Sequence, residues 1–372
     1  MSTTLLWQIG FATLSGSLAL VPLLPTLKTW QRTKATSTQP GGSDGYGEEW
    51  LAPVDRLRSS IQIEFATLLQ LARENVSTDE TGNDAHGATR GADENGVPFI
   101  VLGPKDHLVE HIPATARRLR QMVLSVRHLD IPGELVCERP LYAEGRINIA
   151  HDAAIDTALA GREIVVGIRA RVKRWAHADQ RLDAAEGAVL FGCVSAGREI
   201  SLARRARFER LYAPRILFGR QQAASPQMPV ERLPYDPPPH AAVVDDRWIV
   251  SGDLHIPAGH ELTANLLVSG HLMIDRGSRV HGSVNVERTV VLAEGARVHG
   301  AIYAASSVHI GERCQVTGPL VTLGSLRADA FSELGQPEHP ITVSARKIRV
   351  AESCIAHGAL WARRIGEVVA DA

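Results

Sequence analysis

MIDRGSRVHG (Met273–Gly282), VLAEGARVHG (Val291–Gly300) and HIGERCQVTG (His309–Gly318) begin eighteen residues apart. Internal identity at a fixed period is the mark of a repeat architecture and outranks local propensity. Inside the eighteen lies a beat of six. Ile256, Leu262, Val268, Ile274, Val280, Val286, Leu292, Val298, Ala304, Ile310, Val316 and Thr322 share one frame, and only Thr322 is polar. Two residues earlier in most hexads stands another aliphatic, as at Leu254, Leu266, Leu272, Val284, Val290, Ile302, Val308 and Leu320. An apolar-x-apolar pair is the alternation of a short β-strand. Three such strands per repeat make one triangular coil, and stacked coils satisfy the backbone by parallel ladders around a dry aliphatic core.

Glycines recur on the same period. Gly259, Gly277 and Gly295 form one series and Gly282, Gly300 and Gly318 another. Both read as corners, where a tight turn with positive φ suits glycine. The stack is expected to break at Asp329–Pro340 (DAFSELGQPEHP), read as an extruded loop, and to resume at Ile348. Upstream, RINIAHDAAID from Arg146, REIVVG from Arg162, RLDAAEGAVLFG from Arg181 and REISLARRARF from Arg198 follow the same grammar. They read as a second, less regular solenoid of about four coils. Between the blocks, residues 220–245 are proline-rich and read as a spacer, because proline cannot donate to a central ladder. How the two blocks are arranged relative to one another stays open at this point.

The N-terminal third differs. Leu5–Leu27 contains no charged residue, and as a helix it is about 34 Å long, enough to cross a hydrocarbon layer of roughly 30 Å. It reads as a transmembrane anchor, with Pro22 and Pro25 weakening its end. Lys28, Arg32 and Lys34 follow it, so the positive-inside rule places the bulk of the chain in the cytoplasm, on a single-pass protein of the cytoplasmic membrane. Thr33–Gly47 reads as a tether, Trp50–Glu74 as a helix with Leu57, Ile61, Phe65, Leu68 and Leu69 on one stripe, and Asn75–Gly96 as a polar disordered stretch. Ala114–Leu129, with Arg117, Arg118, Arg120 and Arg127, reads as a short basic helix. The predicted organisation is therefore an anchor (1–32), a tether, helix and disordered stretch (33–96), an irregular helix plus central solenoid (97–219), a linker (220–245) and a second solenoid (246–366). The fold class is all-β, a parallel β-helix of eighteen-residue triangular coils, preceded by a transmembrane helix and a short helical region.

Composition narrows function. Forty basic and 41 acidic residues give a formal net charge of -1, so no global field points to nucleic acid. Cys137, Cys193, Cys314 and Cys354 are scattered without a CxxC, which argues against a disulfide framework or a zinc site. No P-loop, GxGxxG, HExxH or GxSxG motif occurs. His281 and His299 hold one corner of successive repeats, whereas a general base is expected once. No catalytic, cofactor-binding or metal-ligating residue is therefore singled out.

Hexad repeats also build acyltransferases, in which Gly or an acidic residue usually follows the aliphatic. Here only Asp275, Glu287 and Gly311 comply. From Trp248 to about Ile365 the chain instead resembles the bactofilins, with paired aliphatics, glycine corners and eighteen-residue coils. The resemblance implies a right-handed β-helix that polymerises end to end without nucleotide, a non-catalytic scaffold of the bacterial cell envelope. Its implied partners are further copies of itself, membrane lipid through the N-terminal helix, and cell-envelope enzymes. The alternative is an acyltransferase-like or ligand-binding solenoid at the membrane.

Overall fold

Residues 88–92, 96–113, 115–222 and 233–370 are described by the structure, a computed structural model. The predicted span Leu5–Leu27, the tether and the Trp50–Glu74 helix lie outside them; of Asn75–Gly96, read as disordered, Thr89–Ala92 is instead a strand, held by pairing with Pro98–Leu102 beyond that stretch. Among the described residues no helix is long and apolar enough to cross a membrane. The four-residue helix Leu108–His111 is the one α-helix there.

Short strands with buried-exposed-buried side chains, such as Leu254–Ile256, Leu272–Ile274 and Val284–Val286, close three-sided coils. The coils stack into a parallel β-solenoid of about 13 turns. The six-residue frame resolves into three columns, one per face. Val268, Val286, Ala304 and Thr322 stack on face A. Ile256, Ile274, Leu292 and Ile310 stack on face B. Leu262, Val280, Val298 and Val316 stack on face C. All are buried. Thr322, the polar exception, donates its hydroxyl to the Ser306 carbonyl at 2.6 Å and accepts from the Gly324 amide, so its burial leaves nothing unpaired.

The middle block obeys the same rule. Ile147, Ile164, Leu182, Ile200 and Ile216 form its face B column. It starts earlier than its clearest repeats, because Phe99–Leu102 already pairs in parallel with Met122–Ser125. The basic helix expected over Ala114–Leu129 is not formed. Arg118–Leu119, Met122–Ser125 and Leu129–Ile131 are strands of the second coil. Met122–Ser125 is buried at every position, since the outer side of its face carries a second apolar cluster with Phe99, Val101 and Ala160. That double burial removes the alternation that marks a strand.

Two further expectations change. The loop at Asp329–Pro340 is shorter than read: Ala330–Phe331 makes an ordinary corner and Glu333–Leu334 pairs with Gln315–Val316. Only residues 336–340 leave the stack, since the Gly335 amide still donates to Val316 O, and the ladder resumes at Ile341–Ala351 rather than at Ile348. The linker also joins the ladder. Leu233–Pro234 pairs in parallel with His260–Glu261, the Leu233 and Tyr235 amides donating to Gly259 and Glu261. Pro234 sits on the outermost strand between those donors, where its missing N–H costs the ladder nothing.

The two glycine series do different work. Gly259, Gly277 and Gly295 have φ of 73°, 69° and 68°, and their column continues as Arg313, Phe331 and Ser353 with φ of 56°, 60° and 64°. Gly282, Gly300 and Gly318 are needed instead for approach: a Cβ on Gly300 would lie 2.3 Å from the Gly282 carbonyl oxygen. Two of the scattered cysteines hold corners. Cys314 Sγ donates to the Ala293 carbonyl and Cys354 Sγ to Asp329, each at 2.9 Å. Ser278 and Ser332 do the same from equivalent corners, to Pro257 and Gly311. Burial pushes the Cys314 thiol up to about 12, and burial with the Asp156 charge does the same for Cys137.

Gly300→Ala is expected to cost about 1–3 kcal/mol by overpacking, and Gly277→Ala, which puts a Cβ on a left-handed backbone, about 1–2 kcal/mol. Urea unfolding midpoints check both; an unchanged midpoint for Gly300→Ala would show that neighbouring corners can spread.

Candidate functional surfaces: the seam and the two poles

A parallel ladder leaves unpaired N–H and C=O groups at both ends, and these ends are where a solenoid can meet something else. The middle block ends in Arg207–Phe218 and the C-terminal block in Ile355–Val369. These strands pair with each other, antiparallel: Phe208 opposite Gly366, Leu211 opposite Leu360, Ile216 opposite Ala356. The two solenoids therefore meet C-terminal end to C-terminal end, and one apolar core runs through both. The face A column passes from Ile100 through Leu211, Leu360 and Leu266 to Trp248.

The seam is filled differently from the coils. Phe208 and Phe218 are fully buried there, ring centroids 6.2 Å apart. Gly366 makes room for Phe208, since a Cβ would stand 2.2 Å from Phe208 Cε2. At the rim the Arg210 guanidinium lies 4.7 Å over the Trp361 ring. His357 Nδ1 bonds the Pro214 carbonyl at 2.9 Å, and Ser353 Oγ donates to Arg220 O at 2.8 Å.

Both remaining ends are N-terminal ends, and both carry an antiparallel addition on face A. At the first pole Thr89–Ala92 pairs with Pro98–Leu102, while Leu108 of the short helix closes the core. Arg90 Nη2 donates to the His111 carbonyl and ties strand to helix. At the second pole Ala241–Val244 pairs with Arg247–Val250. Tyr235 packs against Trp248 and His260, with ring centroids 6.0 and 5.7 Å away, and its hydroxyl donates to His255 O. Val243 lies opposite buried Trp248 and so faces the core side, yet it is 51% exposed. Among the described residues, Thr89–Ala92 and Ala241–Val244 each pair on one side only.

Histidines gather on the C-terminal block. His281 and His299 stack with centroids 4.7 Å apart and planes 10° from parallel, and His281 Nε2 meets Glu261 at 2.5 Å. His255 and His309 bond Asp275 and Asp329, each twenty residues on. The two His–Asp pairs stand three coils apart on one outward column, whose intervening positions are Met273 and Val291. One constellation was missed in the sequence because two of its members, His177 and Ser195, lie eighteen apart on the outside of face A. His177 Nδ1 is 2.9 Å from Ser195 Oγ, and Nε2 is 3.5 Å from Asp179. Ser195 and His177 are buried, so the hydroxyl is not presented to a substrate. Among the described residues no group of three or more His, Cys, Asp or Glu has metal-binding geometry. No family model, curated protein or solved structure matches the chain.

Two outcomes follow from this geometry. Gly366→Leu is expected to separate the blocks into two unfolding transitions, read by calorimetry; one unbroken transition at the original temperature would refute the seam's role. Burial, then the charges of His281, Arg279 and Arg297, hold the His299 imidazole below 6.5. The unfolded chain takes that proton first, so stability present above pH 6.5 falls as pH drops through the folded value. His299→Gln should flatten this decline in urea midpoints between pH 8 and 5.5.

Proposed function

We propose that this protein is a non-catalytic scaffold, a membrane-anchored rod of the bacterial cell envelope that assembles with further copies through its poles. The supporting observation is where the backbone edges lie. The seam consumes both C-terminal edges, and a strand with one unpaired edge remains at each pole, on one common face. Edge strands invite pairing, and natural proteins usually blunt them with charge. Ala241–Val244 carries no charge, and Val243 and Val244 are 51% and 54% exposed. Repetition of a pole contact builds filaments unless symmetry closes it. The bactofilin-like coils, the apolar Leu5–Leu27 segment and the basic residues after it agree with this reading. It differs from a single-core filament protein in one respect: the middle block already occupies the C-terminal end of the bactofilin-like block.

Negative-stain electron microscopy of the full chain in detergent, without nucleotide, tests the proposal. Filaments are expected from the wild type and discrete rods from Val243→Lys, with unchanged thermal unfolding. Discrete particles from the wild type at every concentration would end the polymer reading and bring the ligand-binding solenoid forward.

A further inference from the structure

On face C of the middle block, the left-handed corner column reads Glu134, Asp152, Arg169, Gly187 and Arg205, with φ between 57° and 69°. Four of the five positions bear charged side chains in a conformation that costs about 1–2 kcal/mol for most residues, glycine, asparagine and aspartate being the tolerant ones. Gly187 is the exception. Two residues on, the outward column reads Arg171, Val189 and Arg207 on successive coils. The middle coil is thus short at both positions, and the coils on either side raise two arginines each. The result is a trough of about 550 Å³ lined by Ile168, Arg169, Arg171, Glu186, Gly187, Val189, Arg205 and Arg207.

The guanidinium groups are not equally engaged. Arg169 is committed to Asp152 by two bonds of 2.6 and 2.8 Å. Arg205 and Arg207 have only long contacts, 3.6 Å to Glu186 and 3.7 Å to Glu367. No carboxylate lies within 4.0 Å of Arg171 among the described residues. Coils two apart are separated by roughly 9.6 Å, a gap that a tetrahedral oxyanion fills when arginines grip it from both sides. Planar guanidinium forks favour phosphate over a monovalent halide, because each can give two parallel N–H···O bonds.

We propose that this trough is a phosphate-binding site, with Arg171, Arg205 and Arg207 as ligands and Gly187 as the floor that leaves room for the anion. The ligand is a phosphate monoester or diester, free in solution or presented by a lipid headgroup. The site is independent of the poles and of any self-assembly.

Isothermal titration of the full chain in detergent with inorganic pyrophosphate reads the soluble arm, and flotation with phosphatidylglycerol against phosphatidylcholine vesicles reads the lipid arm. Saturable pyrophosphate binding is expected, weakened about tenfold or more by Arg171→Gln, the equivalent of about 1.4 kcal/mol. Gly187→Asn keeps a residue that tolerates positive φ but fills the trough, and should abolish binding with an unchanged unfolding midpoint. Arg146→Gln, at an ion pair with Glu163 outside the trough, should bind as the wild type does. If phosphatidylglycerol flotation falls with Arg171→Gln while pyrophosphate binds weakly, the ligand is the headgroup. Absence of saturable binding in both arms, or equal binding by wild type, Arg171→Gln and Gly187→Asn, would overturn the site.

Discussion

The fixed rise of about 4.8 Å between hydrogen-bonded strands is the constraint on which the rest of this molecule depends. Between the two poles, a strand residue has a neighbour above and below, so each column of side chains must tolerate its own repetition. Aliphatic columns do so by close packing. The Gly282–Gly300–Gly318 column does so by having no side chain at all, and the Ser278, Cys314, Ser332 and Cys354 corners by donating to a carbonyl of an earlier coil. His281 and His299 do it by stacking their rings. One geometric rule thus explains residues as unlike as glycine, cysteine and histidine.

That rule also decides what sequence could reveal. The C-terminal solenoid was legible because its columns are written out at period eighteen, and Ile256, Leu262 and Val268 fall on three different faces of one coil. Gly259 and Gly282 were both legible as corners, but their separate reasons, positive φ and backbone approach, need coordinates. Met122–Ser125 was misread because burial on both sides erases the alternation. The pairing across the seam was not legible, since Phe208 and Gly366 are brought together only by the fold. In retrospect the phenylalanines were a clue: in a core of Val, Ile and Leu, Phe208 and Phe218 mark where regular stacking stops.

The candidate surfaces follow from the ends rather than from a cleft. Joining two parallel ladders by an antiparallel strand pair reverses chain direction at the middle of the rod, and both outer ends become N-terminal. The poles are alike in plan, each with a face A hairpin over a local plug, but different in chemistry. Arg90 and Leu108 define one and Tyr235, Trp248 and Val243 the other. Contacts between like poles and between unlike poles are therefore chemically distinct possibilities within the proposed scaffold, and Val243 belongs to only one of them.

The seam also has a consequence in time. Pro214 and His357 are 143 positions apart, and ribosomes add about 5–20 residues per second. For roughly 7–30 s after the middle block emerges, the strand that will close it does not yet exist. During that interval Phe208 and Phe218 stand at an open end, next to a row of unpaired amides and carbonyls. The nascent chain is then most prone to pair with a neighbour on the same polysome, and most dependent on whatever shields it until Ile355–Val369 arrives.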